Sequence, residues 1–330
     1  MQKHIFILLG IILTFLLISC NDGGTEPENP IPGRRDYIWS VDTLFFTSWG
    51  DLAITNMLVR DTNDIYIVGF GYKTDECVIH FNGADFEFIK QDVSRFNYSI
   101  FEFKEKIYIG TGYGKLFSLN QDGTLTLEFN DASGQSVLYF PRHFNNQLYI
   151  GGTKTGRAGF TIIKNDGGGW KYWYSDNEPD VFMASFEIIN DFAYILSTSD
   201  VYNLKLYSLT NNSLNFVQEL SSSNLFKMDN RIYLLVDDGN LKRIETGKVM
   251  DWLRLEGKGV YGAAVGRSES DIVVYHVNSI GHFNGNDLED IYTLQGDYGI
   301  HAVHIDQNNI YFIVKPDDVS YYLLIKGKLK

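Results

Sequence analysis

One short apolar element recurs seven times along the chain, and no other feature restricts the fold as strongly. Its copies are Ile65-Tyr66-Ile67-Val68, Ile107-Tyr108-Ile109-Gly110, Leu148-Tyr149-Ile150-Gly151 and Ala193-Tyr194-Ile195-Leu196, followed by Ile232-Tyr233-Leu234-Leu235, Ile272-Val273-Val274-Tyr275 and Ile310-Tyr311-Phe312-Ile313. The starts are 42, 41, 45, 39, 40 and 38 residues apart, and six of the seven copies carry tyrosine second. β-Branched and aromatic residues in runs this short favour strands. A strand and a polar turn precede each copy, as in LFKMDN and VHIDQNN. A variable loop, a third strand and a turn follow, the turns being Asn82-Gly83, Asp122-Gly123, Asp166-Gly167, Asn211-Asn212, Thr246-Gly247, Asn284-Gly285 and Lys326-Gly327. Asn-Gly and Asp-Gly favour two-residue hairpin turns, whose central residues need positive φ.

Each unit is therefore four strands in about 40 residues, with no helical period anywhere. A four-stranded sheet that is apolar on both faces cannot stand alone, and packing such sheets around an axis covers every face. The spacing predicts an all-β chain, a seven-bladed β-propeller of antiparallel blades over residues 37–330. After Lys326-Gly327 only three residues remain, so the seventh blade lacks its outermost strand. The strand-like run from Tyr37 to Phe46 is expected to supply it and close the ring.

The N-terminus reads as a targeting segment. Lys3 and His4 precede an apolar run of fourteen residues, Ile5 to Ile18. That is too short to cross a hydrocarbon core of roughly 30 Å, and it has the length of a signal-peptide core. Leu17-Ile18-Ser19-Cys20 follows and resembles the bacterial lipobox. The resemblance implies cleavage after residue 19 and an acyl-bearing diacylglycerol on the Cys20 thiol. Residues 20–36, with three of the chain's six prolines, have little to bury and read as a flexible tether. Asn21 rather than Asp follows the cysteine, which favours the outer membrane of a bacterial envelope, with a periplasmic or a surface-exposed propeller. The other cysteine, Cys77, has no partner once Cys20 is acylated and reads as a buried thiol.

Removing Lys3 leaves 27 basic against 41 acidic residues. Such a balance excludes a nucleic-acid partner, which requires a basic face. The repeat resembles the broad group of kelch-like and photosystem-assembly-factor-like bacterial propellers, over residues 37–330. The Gly-His and Trp-Asp signature of WD repeats is missing, and a diglycine stands at the kelch position convincingly only once, at Gly151-Gly152. Asn165 to Trp170 is similar to an Asp-box, but one residue short and unrepeated. The resemblance thus implies architecture and no activity.

No nucleophile elbow, His-Glu-x-x-His helix or paired-cysteine metal spacing occurs. His301 and His304 lie three apart on a strand, which predicts opposite faces and no shared metal. Arg142, Arg157 and Arg267 occupy different repeat positions, against a converging arginine cluster. The loops after the second strands share one face and vary most, in FGYKTDE, TKTGRAG, STSDVYNL, DDG and KPDDVS. Tyr72, Lys73, Tyr113, Lys154, Arg157, Tyr202, Asp237, Asp238 and Asp317 are the candidate binding residues. No cofactor beyond the lipid is expected, calcium at Asp237-Asp238 or Asp317-Asp318 being the one ion these loops suggest. The leading expectation is a monomeric, non-catalytic platform for an envelope protein or polysaccharide. The alternative is a glycan hydrolase or lyase with paired carboxylates or several arginines in a central channel.

One tetrapeptide tests the register. His80-Phe81-Asn82-Gly83 and His282-Phe283-Asn284-Gly285 lie 202 residues apart, five repeats of about 40. Both fall at the third strand and its turn, on the face opposite the variable loops, so the motif reads as a structural mark rather than a ligand signature.

Overall fold

The computed structural model describes residues 33–45, 52–71, 77–89, 96–131, 134, 136–155, 159–177, 181–189, 192–198, 204–210, 213–220, 223–236, 239–245, 247–255, 260–276, 278–296, 298–317 and 319–330. Their strands form seven antiparallel four-stranded sheets. Six blades take consecutive strands: blade 1 spans 53–89, blade 2 spans 97–130, blade 3 spans 136–175, blade 4 spans 182–220, blade 5 spans 223–254 and blade 6 spans 260–293. Blade 7 combines Tyr298–Ile305, Asn309–Pro316 and Tyr321–Leu329 with Tyr37–Phe45 as its outermost strand.

The repeated element is the second strand of each blade, and its alternation builds the ring. Seven separate apolar clusters sit between consecutive blades. Ile107 and Ile109 face blade 1, whereas Tyr108 between them packs with Leu138, Leu148 and Ile150 of blade 3. Blade 5 repeats the rule, with Ile232 and Leu234 toward blade 4 and Tyr233 toward blade 6. So does blade 7, where Ile310 and Phe312 face blade 6 and Tyr311 faces Ile65 and Ile67 of blade 1. Successive side chains of a strand point to opposite faces, so one tripeptide secures both neighbours at once. Cys77 is buried in the interface between blades 7 and 1.

Closure follows the expected plan over nine paired residues, from Tyr37 opposite Leu329 to Phe45 opposite Tyr321. Lys326-Gly327 is not a turn, because Tyr321–Leu329 runs straight through it. With its partner strand arriving from the N-terminus, this strand needs no hairpin. Gly327 instead clears space: a Cβ there would stand 2.6–2.9 Å from three ring atoms of Trp39.

The turns bear out only part of the Asn-Gly expectation: in blade 5 Glu245 pairs with Lys248 across a two-residue turn in which Gly247 takes a φ of +78°. Two-residue turns with positive φ join first to second strands, at Lys104-Glu105, Asn145-Asn146 and Asp229-Asn230. Asn82-Gly83 and Asn284-Gly285 belong to four-residue loops, closed by Phe81 opposite Phe86 and Phe283 opposite Leu288. Asn82 Oδ1 accepts from the Ala84 and Asp85 amides, and Asn284 Oδ1 from those of Asn286 and Asp287. The following glycines take φ of +94° and +97°, a region costly for side-chain-bearing residues. Each motif histidine bonds across its blade, His80 Nε2 to Asp64 at 2.8 Å and His282 Nε2 to Asp271 at 2.8 Å.

The incoming chain is seated on the hairpin face. The Gly33 amide donates to Ser270 O and Asn284 O, at 3.1 and 3.0 Å. Arg35 pairs with Asp287 at 2.7 Å and Glu289 at 3.2 Å. Residues 33–36, grouped above with the tether, therefore lie against blades 6 and 7 before the closing strand begins.

Deleting residues 37–45 strips the partner from Tyr321–Leu329 and opens a bare sheet edge. Size-exclusion chromatography and thermal melting should show oligomers and a lost or strongly lowered transition. A monomer melting as the parent does would refute this closure.

Candidate functional site

The innermost strands carry an irregularity that the repeat conceals. Register shifts occur near the loop-face end in six of them: Ala53–Asp61, Asn97–Phe103, Ser136–Phe144, Phe182–Ile189, Val260–Ser268 and Tyr298–Ile305. Ser223–Met228 of blade 5 pairs without one. A β-bulge adds a residue and re-aims its side chain. Thr55, Tyr98, Tyr139 and His301 occupy such positions, and all four line the central channel. Beside them, Thr55 Oγ1 donates to Asn97 O at 2.9 Å and Ser99 Oγ to Leu138 O at 2.8 Å, so the bulged ends are tied blade to blade.

The bulges assemble an aromatic array at the channel mouth. From exposed Tyr113 on the loop face, contacts run to Phe96 (5.6 Å between centroids), Phe70 (6.2 Å) and Tyr98 (5.5 Å). They continue to Tyr139 (4.8 Å) and Phe140 (5.5 Å), crossing blades 1, 2 and 3. Gly112 permits the junction, since a Cβ there would lie 2.8 Å from the Tyr98 ring. Burial, with Tyr98 as a lesser cause, pushes the Tyr139 hydroxyl up to about 12. Aromatic clusters of this kind give large contact area at low entropic cost.

Below the mouth the channel has a volume of about 950 Å³ and draws its lining from the innermost strands of all seven blades. Its charged groups stand on blades 3 to 5. Arg142 Nε is 2.6 Å from Glu187 Oε1, and Lys227 Nζ reaches Ile188 O at 3.3 Å. Burial raises the Glu187 carboxyl, against the pull of Arg142 and Lys227. Burial also lowers His143, His301 and His304, partly offset by the Ile54 carbonyl at His301 and by Asp306 at His304.

His301 and His304 depart from the alternation expected of them. The bulge between Ile300 and Ala302 inserts one residue, so both rings turn toward blade 1. His301 lies edge-on to Tyr322 and its Nδ1 donates to Ile54 O, while His304 packs on Tyr311. Among the described residues no cluster of three or more His, Cys, Asp or Glu side chains could hold a metal.

Of the candidates chosen by sequence, three are described. Tyr113 is 49% exposed and begins the array. Lys154 binds Asp176 O at 2.6 Å and the Asn177 side chain, tying down its own loop. Asp317 is exposed in the turn after Asn309–Pro316. Tyr72, Lys73, Arg157, Tyr202, Asp237, Asp238 and Cys20 lie outside the described residues. Arg142 and Arg267 do not converge: Arg267 holds Asp271 at 3.0 Å and Tyr37 Oη at 3.1 Å between blades 6 and 7. Sequence reading passed over Phe70, Phe96, Tyr98, Tyr139 and Phe140. Tyr98 and Tyr139 are 41 residues apart, one repeat, which is the signal that marks them.

No protein-family model matches the chain, and no curated protein matches it. Solved propellers are similar in fold. A catalytically inactive virginiamycin B lyase from Staphylococcus aureus, solved with quinupristin, has a TM-score of 0.62 at 13% identity, covering 89% of this chain and all of that one. The WD40 propeller domain of Doa1 has a TM-score of 0.61 at 14% identity, covering 88% and 97%. BamB from Moraxella catarrhalis has a TM-score of 0.52 at 14% identity, covering 83% and 85%. At these identities the likeness shows the propeller fold.

The channel histidines make stability pH-dependent. An imidazole held below its unfolded value of about 6.5 contributes stability above that pH, which is lost as pH falls toward the folded value. The melting temperature should drop between about pH 7.5 and pH 5, and less in His304→Phe, which keeps a ring on Tyr311. Equal drops in both proteins would contradict this.

Proposed function

We propose that the chain is an envelope lipoprotein, anchored through acylated Cys20, whose propeller is a non-catalytic binding platform for a protein or polysaccharide. The observation that carries this reading is the polarity of the ring. Gly33 and Arg35 reach the propeller on the hairpin face, whereas Tyr113 and the aromatic array open on the other. A tether leaving from the hairpin face would hold the loop face and channel mouth away from the membrane. The features turned outward are then those suited to recognition, namely rigid aromatic rings and variable loops on a closed scaffold. Glu187, paired with Arg142, is the one carboxylate among the described lining residues. The two-carboxylate arrangement of glycan hydrolysis is not what these residues build.

Two measurements test the two halves of the proposal. Cys20→Ser should move the protein from the membrane fraction to the soluble one and abolish incorporation of labelled palmitate. Retention at the membrane without label would refute the lipid anchor. Envelope polysaccharides and purified envelope proteins should bind the parent by biolayer interferometry. Tyr113→Ala on the loop face should weaken that binding about tenfold, as expected for an aromatic contact near 1.4 kcal/mol, with an unchanged melting temperature. Lys106→Ala, on the hairpin face, should leave it intact, and the reverse pattern would overturn the platform's orientation.

A further inference from the structure

The chain is acidic, with a formal charge of −13, yet its central channel is not. Among the described lining residues the acidic and basic side chains other than histidine are Arg142, Lys227 and Glu187, two bases against one acid. Burial lowers the three lining histidines, which disfavours charge on them. Arg142 is engaged with Glu187. The Lys227 ammonium meets the Ile188 carbonyl and lies 5.9 Å from the centroid of the Phe144 ring. Glu187, whose carboxyl feels the pull of both Arg142 and Lys227, is the acid that these two bases share. A net positive site inside low-dielectric walls concentrates field on an anion far more than an exposed lysine does.

This charge lies below the aromatic mouth. Tyr139 and Arg142 stand three residues apart on one strand, roughly 10 Å along it. An occupant that stacks on the rings and reaches the charges is therefore longer than a single sugar ring. The volume of about 950 Å³ falls within the roughly 300–1,000 Å³ of small-molecule sites. Sugars present flat C–H faces and hydroxyl edges. The lining offers matching ring faces at Tyr98 and Tyr139, with the amides of Asn56 and Asn224 nearby.

Resting on the platform reading above, we propose that the channel binds the acidic end of an oligosaccharide, its rings against Tyr98 and Tyr139 and its carboxylate at Lys227 and Arg142. The acidic exterior repels a polyanion lying across the surface, so recognition falls on a chain end entering the channel. Specificity is then for a carboxylate-bearing terminal unit rather than for the whole polymer.

Calorimetric titration of the full mature protein in detergent tests this. The probes are trisaccharides ending in galacturonate, glucuronate or N-acetylneuraminate, each beside its methyl ester, and a hexaglutamate peptide. At least one acid should bind, with its ester and the peptide at least tenfold weaker. Lys227→Met keeps an apolar stem on Phe144 and should erase the preference for acid over ester while leaving residual binding. Tyr139→Ala should weaken acid and ester alike, and melting curves confirm that both variants are folded. Equal binding of acid and ester, tighter binding of the peptide, or an undiminished preference in Lys227→Met would overturn the proposal. Absence of binding by every acid, while neutral glycans or envelope proteins still bind at Tyr113, would overturn it and leave the platform reading standing.

Discussion

Every blade depends on the two-sided burial of its second strand. Ile65 and Ile67 sit in the cluster shared with blade 7, and the neighbouring Tyr66 packs against the cluster shared with blade 2. Fully burying an aliphatic side chain of this size is worth about 1.5–3 kcal/mol, but only while the adjacent sheet is present. A single blade would expose both faces, so stability belongs to the ring. The same logic makes the seam between blades 7 and 1 decisive. There Leu44 of the N-terminal strand, Tyr311 and Tyr322 of blade 7, and Ile65 and Phe81 of blade 1 share one buried cluster. Chain ends far apart in sequence are thereby held as one sheet, and Arg34 and Asp36 lie beside the terminal Lys330.

A closed scaffold of this kind can tolerate local irregularity where it is useful. The bulges in six innermost strands all interrupt pairing at the loop-face end, and Ala53–Asp61 and Val260–Ser268 are shifted again beside the hairpin face. Bulging brings Tyr98 and Tyr139 within 4.8 Å of one another, across a blade boundary. Blade 5, without a bulge, contributes Asn224 and Lys227 instead. The channel consequently has an aromatic arc and a charged arc, although the repeats that surround it descend from one pattern.

The architecture was legible because it rests on periodicity. Strand identity, blade count and the closing strand all follow from residues that alternate faithfully, as Ile107-Tyr108-Ile109 does. The tetrapeptide at His80 and His282 proved to be a register mark whose asparagine caps a loop and whose histidine braces the preceding strand. The site was less legible because a bulge breaks the same rule. One inserted residue turned His301 to the side of His304 and aimed Tyr98 and Tyr139 inward, and nothing in NYSIFEF announces the shift. Gly327 misled for a different reason. A glycine needed to clear the Trp39 ring looks, in sequence, like one needed to turn the chain.

The two faces of the ring are built from different physics, and that difference bears on where recognition can occur. On the hairpin face, side chains are already committed to one another: Asp271 to His282 and Arg267, Arg35 to Asp287 and Glu289, Arg60 to Asp64 and Glu102. A ligand there would have to displace ion pairs whose loss leaves charges uncompensated. At the opposite mouth the rings of Tyr98, Tyr113 and Tyr139 lie against other rings, and a further ring can add to such a cluster. A surface that can add ring contacts is one on which binding is easily evolved. In this propeller, that surface surrounds the channel on the side away from the incoming chain.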